Sequence, residues 1–517
     1  MRHPRILITM ALGIVWCAAV AASPAGRPHP ALPAGARTVD LAKRVDANQI
    51  SMVVTNVGTF GYNYDVADAG LEFPRGSGKH VVFSSGLWLS GNFVSSPRLA
   101  LSGYAEEFLP GAVIGGVEDE PNKLEYRTYK LLRTYPNAIA RDAALADWNA
   151  GAVPHGATPV AVRPDGSLAL EGEQLLWSVY NDLDAGTHIN PAGRTAPLAV
   201  EVQQTSYAFQ QPGAFDHTVF VRFRIINRNI IPLTDFRVGF WVDPDIGAAF
   251  DDLTGCDPVT GLGYAYNSSA APDSVYGANP PAVGFDIVQG PLNASGQRLG
   301  LASFCHFVSG AEPDTMTETF NAMKGLQITG APFIDPTTST ATKFQFSGDP
   351  VGGTGWRETV PTDQRMLLTT GPISLAVDEQ QDIVIAIIVA QGTSARSSLT
   401  LLRDYDAQIQ SAFDNNQLPV LGVGLPSGVA LALDRAWPNP SRGTLHVRFG
   451  LADAGDARLE LLDVHGRRVL RRQLDGLAAG SHEIVVGEAG DRLPAGTYFA
   501  RLTCRGQSVS SRVVVLP

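Results

Sequence analysis

Residues 198–209, LAVEVQQTSYAF, and 218–228, TVFVRFRIINR, alternate apolar side chains with others over most of their length, placing Val219, Val221, Phe223 and Ile225 on one face. A period of two marks a strand with one buried face, because successive side chains leave opposite sides of the pleat. The two runs predict antiparallel partners, and 232–247, PLTDFRVGFWVDPDIG, predicts their neighbour. Such a series implies a β-sandwich, two sheets sharing one apolar core.

The same pattern extends in both directions. Strands are expected within 50–63, 81–93, 124–133 and 162–188, and again within 365–392, whose IVIAIIVA (383–390) reads as a strand buried on both faces at the centre of a sheet. Helices are expected at 136–149, with Ile139, Ala143, Leu145 and Trp148 near one face, and at 397–416, where Leu399, Leu402, Tyr405, Ile409 and Phe413 recur at helical spacing. Residues 250–360 read as loop-rich, with short strands. Over 517 residues, 53 Gly and 35 Pro with only 17% charged residues favour many short strands and turns. The fold class is therefore mostly β.

The net charge of −11 is uneven: residues 430–517 carry 12 Arg against 9 Asp and Glu, leaving 27 basic and 41 acidic residues upstream. An acidic upstream surface repels nucleic acid and anionic lipid and suits divalent cations. The N-terminus, MRHPR followed by ILITMALGIVWCAAVAA, reads as a signal peptide over 1–22, and the Pro/Ala/Gly-rich stretch 23–47 as a flexible lead-in. No later stretch is apolar enough to span a bilayer as a helix. An exported chain meets an oxidising compartment, where Cys256 and Cys305 are the plausible disulfide pair and Cys504 a small buried hydrophobe.

After 48–415, read as one large β-rich domain with room for two subdomains, QLPVLGVGLPSG and its surroundings (416–429) read as a linker. Residues 430–517 then form a small all-β domain of six short runs, with Val464-His465-Gly466 at a tight hairpin turn. Pro438-Asn439-Pro440, Leu462-Asp463 with Gly466-Arg467, Gly480, and Ala495-Gly496-Thr497-Tyr498-Phe499 resemble the C-terminal sorting domain of the type IX secretion system and the immunoglobulin-like domain of FlgD-type hook-capping proteins. That resemblance implies a folded secretion signal, with the secretion machinery or cell envelope as partner and the outer-membrane surface or extracellular space as destination. The final strand, RVVVLP, has one basic residue, Arg512, where such tails commonly end Lys/Arg-rich.

Asp243, Asp245, Asp251, Asp252 and Asp257 lie within fifteen residues, in WVDPDIGAAFDDLTGCD. Their mutual repulsion would be relieved by calcium, which accepts irregular oxygen cages; the competing reading is that each Asp caps a turn. A second polar group, Asn181, Asp182, Asp184 and His188, has the donors for a metal or a sugar, but with no second His or Cys at ligand spacing a solvated loop is expected. Cys305 and His306, neighbours on a strand, face opposite sides and form no dyad. Trp88, Trp148, Trp177 and Trp356 are expected in the core rather than on a sugar platform. No GxSxG, HExxH, Walker or GxGxxG motif is present, so no catalytic or cofactor-binding residue is assigned. The function expected is a secreted or cell-surface structural or binding protein with a glycan or protein ligand. The alternative is a secreted hydrolase of polysaccharide or peptide using the acidic-loop carboxylates.

Overall fold

The computed structural model describes residues 41–103, 106–268, 271–415 and, of the C-terminal part, 432–433, 441, 445–451, 455–477, 480–486, 493–505 and 507–516. The expected signal peptide, the linker and Pro438-Asn439-Pro440 lie outside the described residues. The lead-in is shorter than expected, because Ala42–Val45 is already a strand paired antiparallel with Ser51–Thr55.

Eleven strands carry the large domain: β1 Ser84–Phe93, β2 Gln174–Asn181, β3 Val200–Ala208, β4 Thr218–Asn227, β5 Leu233–Asp243, β6 Asp252–Asp257, β7 Leu262–Asn267, β8 Ala282–Gln289, β9 Leu301–Val308, β10 Gln364–Leu375 and β11 Gln380–Ala390. One sheet runs β9-β10-β5-β1 and continues into short strands from the first fifty described residues. The other runs β2-β3-β4-β11-β8-β7-β6. The alternation that announced β4 is borne out: Val219, Val221, Phe223 and Ile225 all enter the core between the sheets, opposite Val238, Phe240 and Val242 of β5, which lies in the facing sheet and not, as expected, beside β4, where β11 pairs instead. Each such fully buried side chain stabilises the fold by roughly 1.5–3 kcal/mol.

β11 is an interior strand, as its composition predicts. Ile383, Ile385, Ile387 and Val389 face the other sheet, while Val384, Ala386 and Ile388 face outward onto a helix. That helix, α3 (Ala395–Asp414), packs Leu399, Leu402 and Ile409 against the sheet and starts at a capping box of Ser394 and Ser397. Near the other end, α1 (Ala138–Gly151) places Leu145 and Trp148 on Leu175, Trp177 and Val179 of β2. Its expected apolar face is corrected at Ile139, which is 82% exposed in the first turn, and at Ala143, which is also exposed.

The loop-rich interval holds an unexpected helix, α2 (Met316–Met323), whose Phe320, Ala322 and Met323 cover the outer face of the first sheet with Trp88, Trp241 and Cys305. Alternation along β9 also removes the expected disulfide. Cys256 points into the inter-sheet core and Cys305 to the far side of its own sheet, so both are free thiols. Each donates to a different carbonyl, Cys256 to Gln345 and Cys305 to Ala322, both at 3.3 Å. His306 faces away from Cys305, against the Phe346 ring.

The tail is a second, smaller sandwich. β12 (Leu445–Leu451) pairs β15 (Gly480–Val486), while β13 (Gly455–Asp463), β14 (Arg468–Leu477), β16 (Gly496–Cys504) and β17 (Gln507–Val515) form a sheet in the order β14-β13-β16-β17. Val447 and Phe449 meet Leu459, Leu461, Ala500, Leu502 and Val513 in its own core. At the predicted hairpin Gly466 has φ +77°, a conformation glycine takes without a Cβ penalty, and Asp463 Oδ1 accepts from the His465 and Arg467 amides at 3.0 and 2.9 Å.

Candidate functional sites

The acidic loop after β5 divides into three parts. Asp243 and Asp245 come together with Asp363, their carboxylate oxygens all within 4.8 Å of one another. Asp363 is far away in sequence and arrives because β10, which it precedes, pairs with β5. Arg365 enters this group: its Nη1 lies 2.5 Å from Asp243 Oδ1 and bonds Asp363, while its Nε is 3.5 Å from Glu312. Burial pushes Asp245 up to about 7, against the pull of Arg365 and with the push of Asp363 and Asp68. All the ligand atoms are carboxylate oxygens, the donor set of a hard cation, and one guanidinium offsets part of their charge.

The other members of the loop do not join. Asp252 is fully buried and accepts from the Ile246 amide at 2.9 Å; burial raises its carboxyl well above the usual range. Asp251 is raised by burial, opposed by a hydrogen bond from Asn267. Asp257 caps the turn after β6, accepting from Val259 and Thr260. Asp273, which the sequence reading did not single out, holds the same loop through the Ala248 and Val275 amides at 2.9 and 2.8 Å.

The Asn181–His188 group is not a solvated loop. Asp182 and His188 are buried, with Asp182 accepting from the Leu198 and Val200 amides at 2.6 and 2.7 Å. His188 Nε2 lies 2.9 Å from the Asp182 carbonyl, and its Nδ1 is 3.6 Å from buried Glu107. Burial pushes Glu107 up to about 8. These groups tie the 182–198 segment to the first sheet and reach no solvent, so they are structural.

Trp88, Trp148 and Trp177 are core, as expected, while Trp356 is half-buried at the edge of the cluster around Trp88: Trp88 stacks on Trp241 at 6.2 Å, and Trp148 meets Trp177 edge-on at 6.2 Å. Trp148 and Trp177 nonetheless also line a cavity of ≈ 190 Å³ on the outer face of the second sheet, with Gln203 and Thr205 of β3, Arg222 and Arg224 of β4, and Glu171. Sequence reasoning missed it, although the arginines of VFVRFRI stand on the face opposite the core positions.

On the tail sheet, Glu460 of β13 accepts from Arg501 of β16 at 2.7 Å and from Arg468 of β14 at 3.2 Å. Residues 435–516 match the family described as the secretion system C-terminal sorting domain. The C-terminal segment is thus a type IX sorting domain, and the protein is exported to the outer-membrane surface or beyond.

No curated protein matches the chain. Among solved structures, the chain is similar to a polysaccharide lyase at 8% identity and TM-score 0.19, over 61% of this chain and 34% of that one. It is also similar to the adhesin domain of Epf from Streptococcus pyogenes at 9% and 0.14, over 62% and 94%. For dimeric latent PorU from Porphyromonas gingivalis the values are 11% and 0.15, over 67% and 32%. The chain spans about a third of the lyase and of PorU. TM-scores of this size carry neither a fold nor an activity to this protein.

Proposed function

We propose that the protein is a non-catalytic cargo of type IX secretion, a large β-sandwich binding module delivered to the cell surface by its C-terminal domain. The observation that carries this reading is the sorting-domain match over 435–516, on a segment with an apolar core of its own. Deleting residues 430–517 in a host with that secretion system is expected to leave the protein in the periplasm, measured by fractionation and protease accessibility. A truncated protein still at the surface overturns the sorting role.

The module is held in part by a calcium ion at Asp243, Asp245 and Asp363, the one place among the described residues where three metal-ligating side chains converge. Its melting midpoint is expected to rise with calcium and fall with chelator; an unchanged midpoint refutes the site. The competing reading, a hydrolase, has Asp245 in its favour, since a carboxyl near 7 is poised for proton transfer. Against it, the neighbouring Asp243 is buried and paired with Arg365.

A further inference from the structure

The outer face of the second sheet is capped near both ends and open between. α1 covers β2, and α3 covers β7, β8 and β11. Between these caps two rows of paired residues cross the strands: Trp177, Thr205, Arg222 and Val384 in one, and Val179, Gln203, Arg224 and Asp382 in the other. The middle of each row is polar although the flanking apolar patches could have been continuous. The cavity opens onto that polar floor.

The floor is held in place before any ligand arrives. Arg224 makes a bidentate pair with Asp382 at 2.7 and 2.9 Å, and Arg222 donates to Glu171 at 2.9 Å. Gln203 donates to Glu201 at 3.0 Å and to the His155 carbonyl at 3.3 Å. Gly156 makes room for this amide: its φ is +112°, and a Cβ there would sit 2.2 Å from Gln203 Nε2. A guanidinium has five N–H donors, and these contacts use one on Arg222 and two on Arg224. The remaining donors, the carboxylate oxygens beside them and the Thr205 hydroxyl form a fixed array next to an indole wall.

We infer that this valley binds a neutral polyhydroxylated ligand, one sugar ring of a glycan. Each arginine is already matched by a carboxylate, Arg222 by Glu171 and Arg224 by Asp382, so an anionic ligand meets no spare positive charge. Hydroxyl groups, which both donate and accept, can engage guanidinium and carboxylate edges together, and the buried Trp148 and Trp177 close the inner wall without offering a stacking face. The cavity size suits a single ring, with the rest of the glycan outside. This deepens the binding-module reading and rests on it. It is independent of the sorting role, because the tail supplies none of the lining residues.

Saturation-transfer NMR on the full mature protein with methyl glucoside, galactoside and mannoside, alongside methyl glucuronide, tests it. Transfer from at least one neutral glycoside is expected, weakened about tenfold by Arg222→Gln and by Ala169→Trp, which puts an indole at a lining position, with the melting midpoint kept. No transfer from any neutral glycoside, a preference for the glucuronide, or transfer indifferent to the substitutions would overturn the inference. If Ala169→Trp fails to fold, Arg222→Gln alone decides.

Discussion

The buried acids of the large domain and the paired acids of the tail present the same side chain in opposite ways. In the large domain one set of carboxyls is taken out of water: burial pushes Glu106 up to about 7, Glu107 to about 8 and Asp406 to about 6, and raises its neighbour Asp286 well above the usual range. In the tail they are matched by arginine. Glu460 is held below its ordinary value by the Arg501 hydrogen bond and then, against desolvation, by Arg468. Desolvation pushes Asp463 upward, but the Arg467 and His465 amides and the Arg467 side chain outweigh it and leave it lowered. These buried acids favour the protonated form and the tail pair the ionised one, so the two sets should answer pH with opposite sign, although surface carboxyls of the large domain such as Asp119 and Asp349 are lowered by Lys123 and Arg403 in the manner of the tail.

The comparison is sharpened most by cutting one core and leaving the other. Phe223 is fully buried between the sheets, with the Phe60 and Phe240 rings 6.0 and 5.5 Å away. Phe223→Ala is expected to cost the large domain about 3–5 kcal/mol, read by calorimetry as a lowered main transition with the tail's transition unmoved. Arg365→Gln comes next. It leaves Asp243, Asp245 and Asp363 without their guanidinium, so a loss of about 3 kcal/mol is expected, recovered in part by calcium. Recovery by magnesium alone would point away from the calcium assignment.

A smaller effect comes from Asp286 of β8 and Asp406 of α3, which share a hydrogen bond between sheet and helix. Both native-state values lie above the unfolded value of 3.8, so the stability they contribute is complete below about pH 4 and is lost as pH rises, through about 6 for Asp406 and through the raised value of Asp286. The contribution of this pair slopes downward from pH 5 to pH 8, against His80, His217 and His306, whose lowered values slope the other way. Asp286→Asn, which mimics the protonated form, should flatten that slope and stabilise the domain at pH 8 by about 1–3 kcal/mol. A steeper slope in the variant would contradict the shared-proton arrangement.

The smallest effect is in the tail. Glu460→Gln should cost about 0.5–1 kcal/mol near neutrality, because its arginine partners are partly exposed and screened. The Glu460 contribution is present above 4.5, the ordinary value, and fades as pH falls through its lowered native one. An equal loss at pH 3 and pH 7 would show that packing, not charge, is responsible.

Much of the fold was legible because period two and burial are the same fact seen twice. TVFVRFRIINR and IVIAIIVA gave β4 and β11 with their faces, and helical spacing gave α3. The helix α2 was missed as a short element among turns, although Thr315 caps it by accepting from the Glu318 amide, and Thr and Glu three residues apart are a start signal. The candidate cation group was half legible. Asp243 and Asp245 are local, but Asp363 and Arg365 are brought by a strand pairing that no spacing reveals. The Cys256–Cys305 pair failed for a reason of parity, since Cys305 lies one residue beyond the core-facing Phe304 on β9. The valley is assembled from three strands and a returning loop, so of its lining only Trp148 and Trp177 were named in the sequence reading, and there as core.

The division of labour between module and tail is tested most directly by transplantation. A reporter carrying an N-terminal signal peptide and residues 430–517 at its C-terminus, made in a type IX-competent host, should reach the cell surface or medium without the large domain. A reporter that stays in the periplasm while the full-length protein is exported would contradict the account.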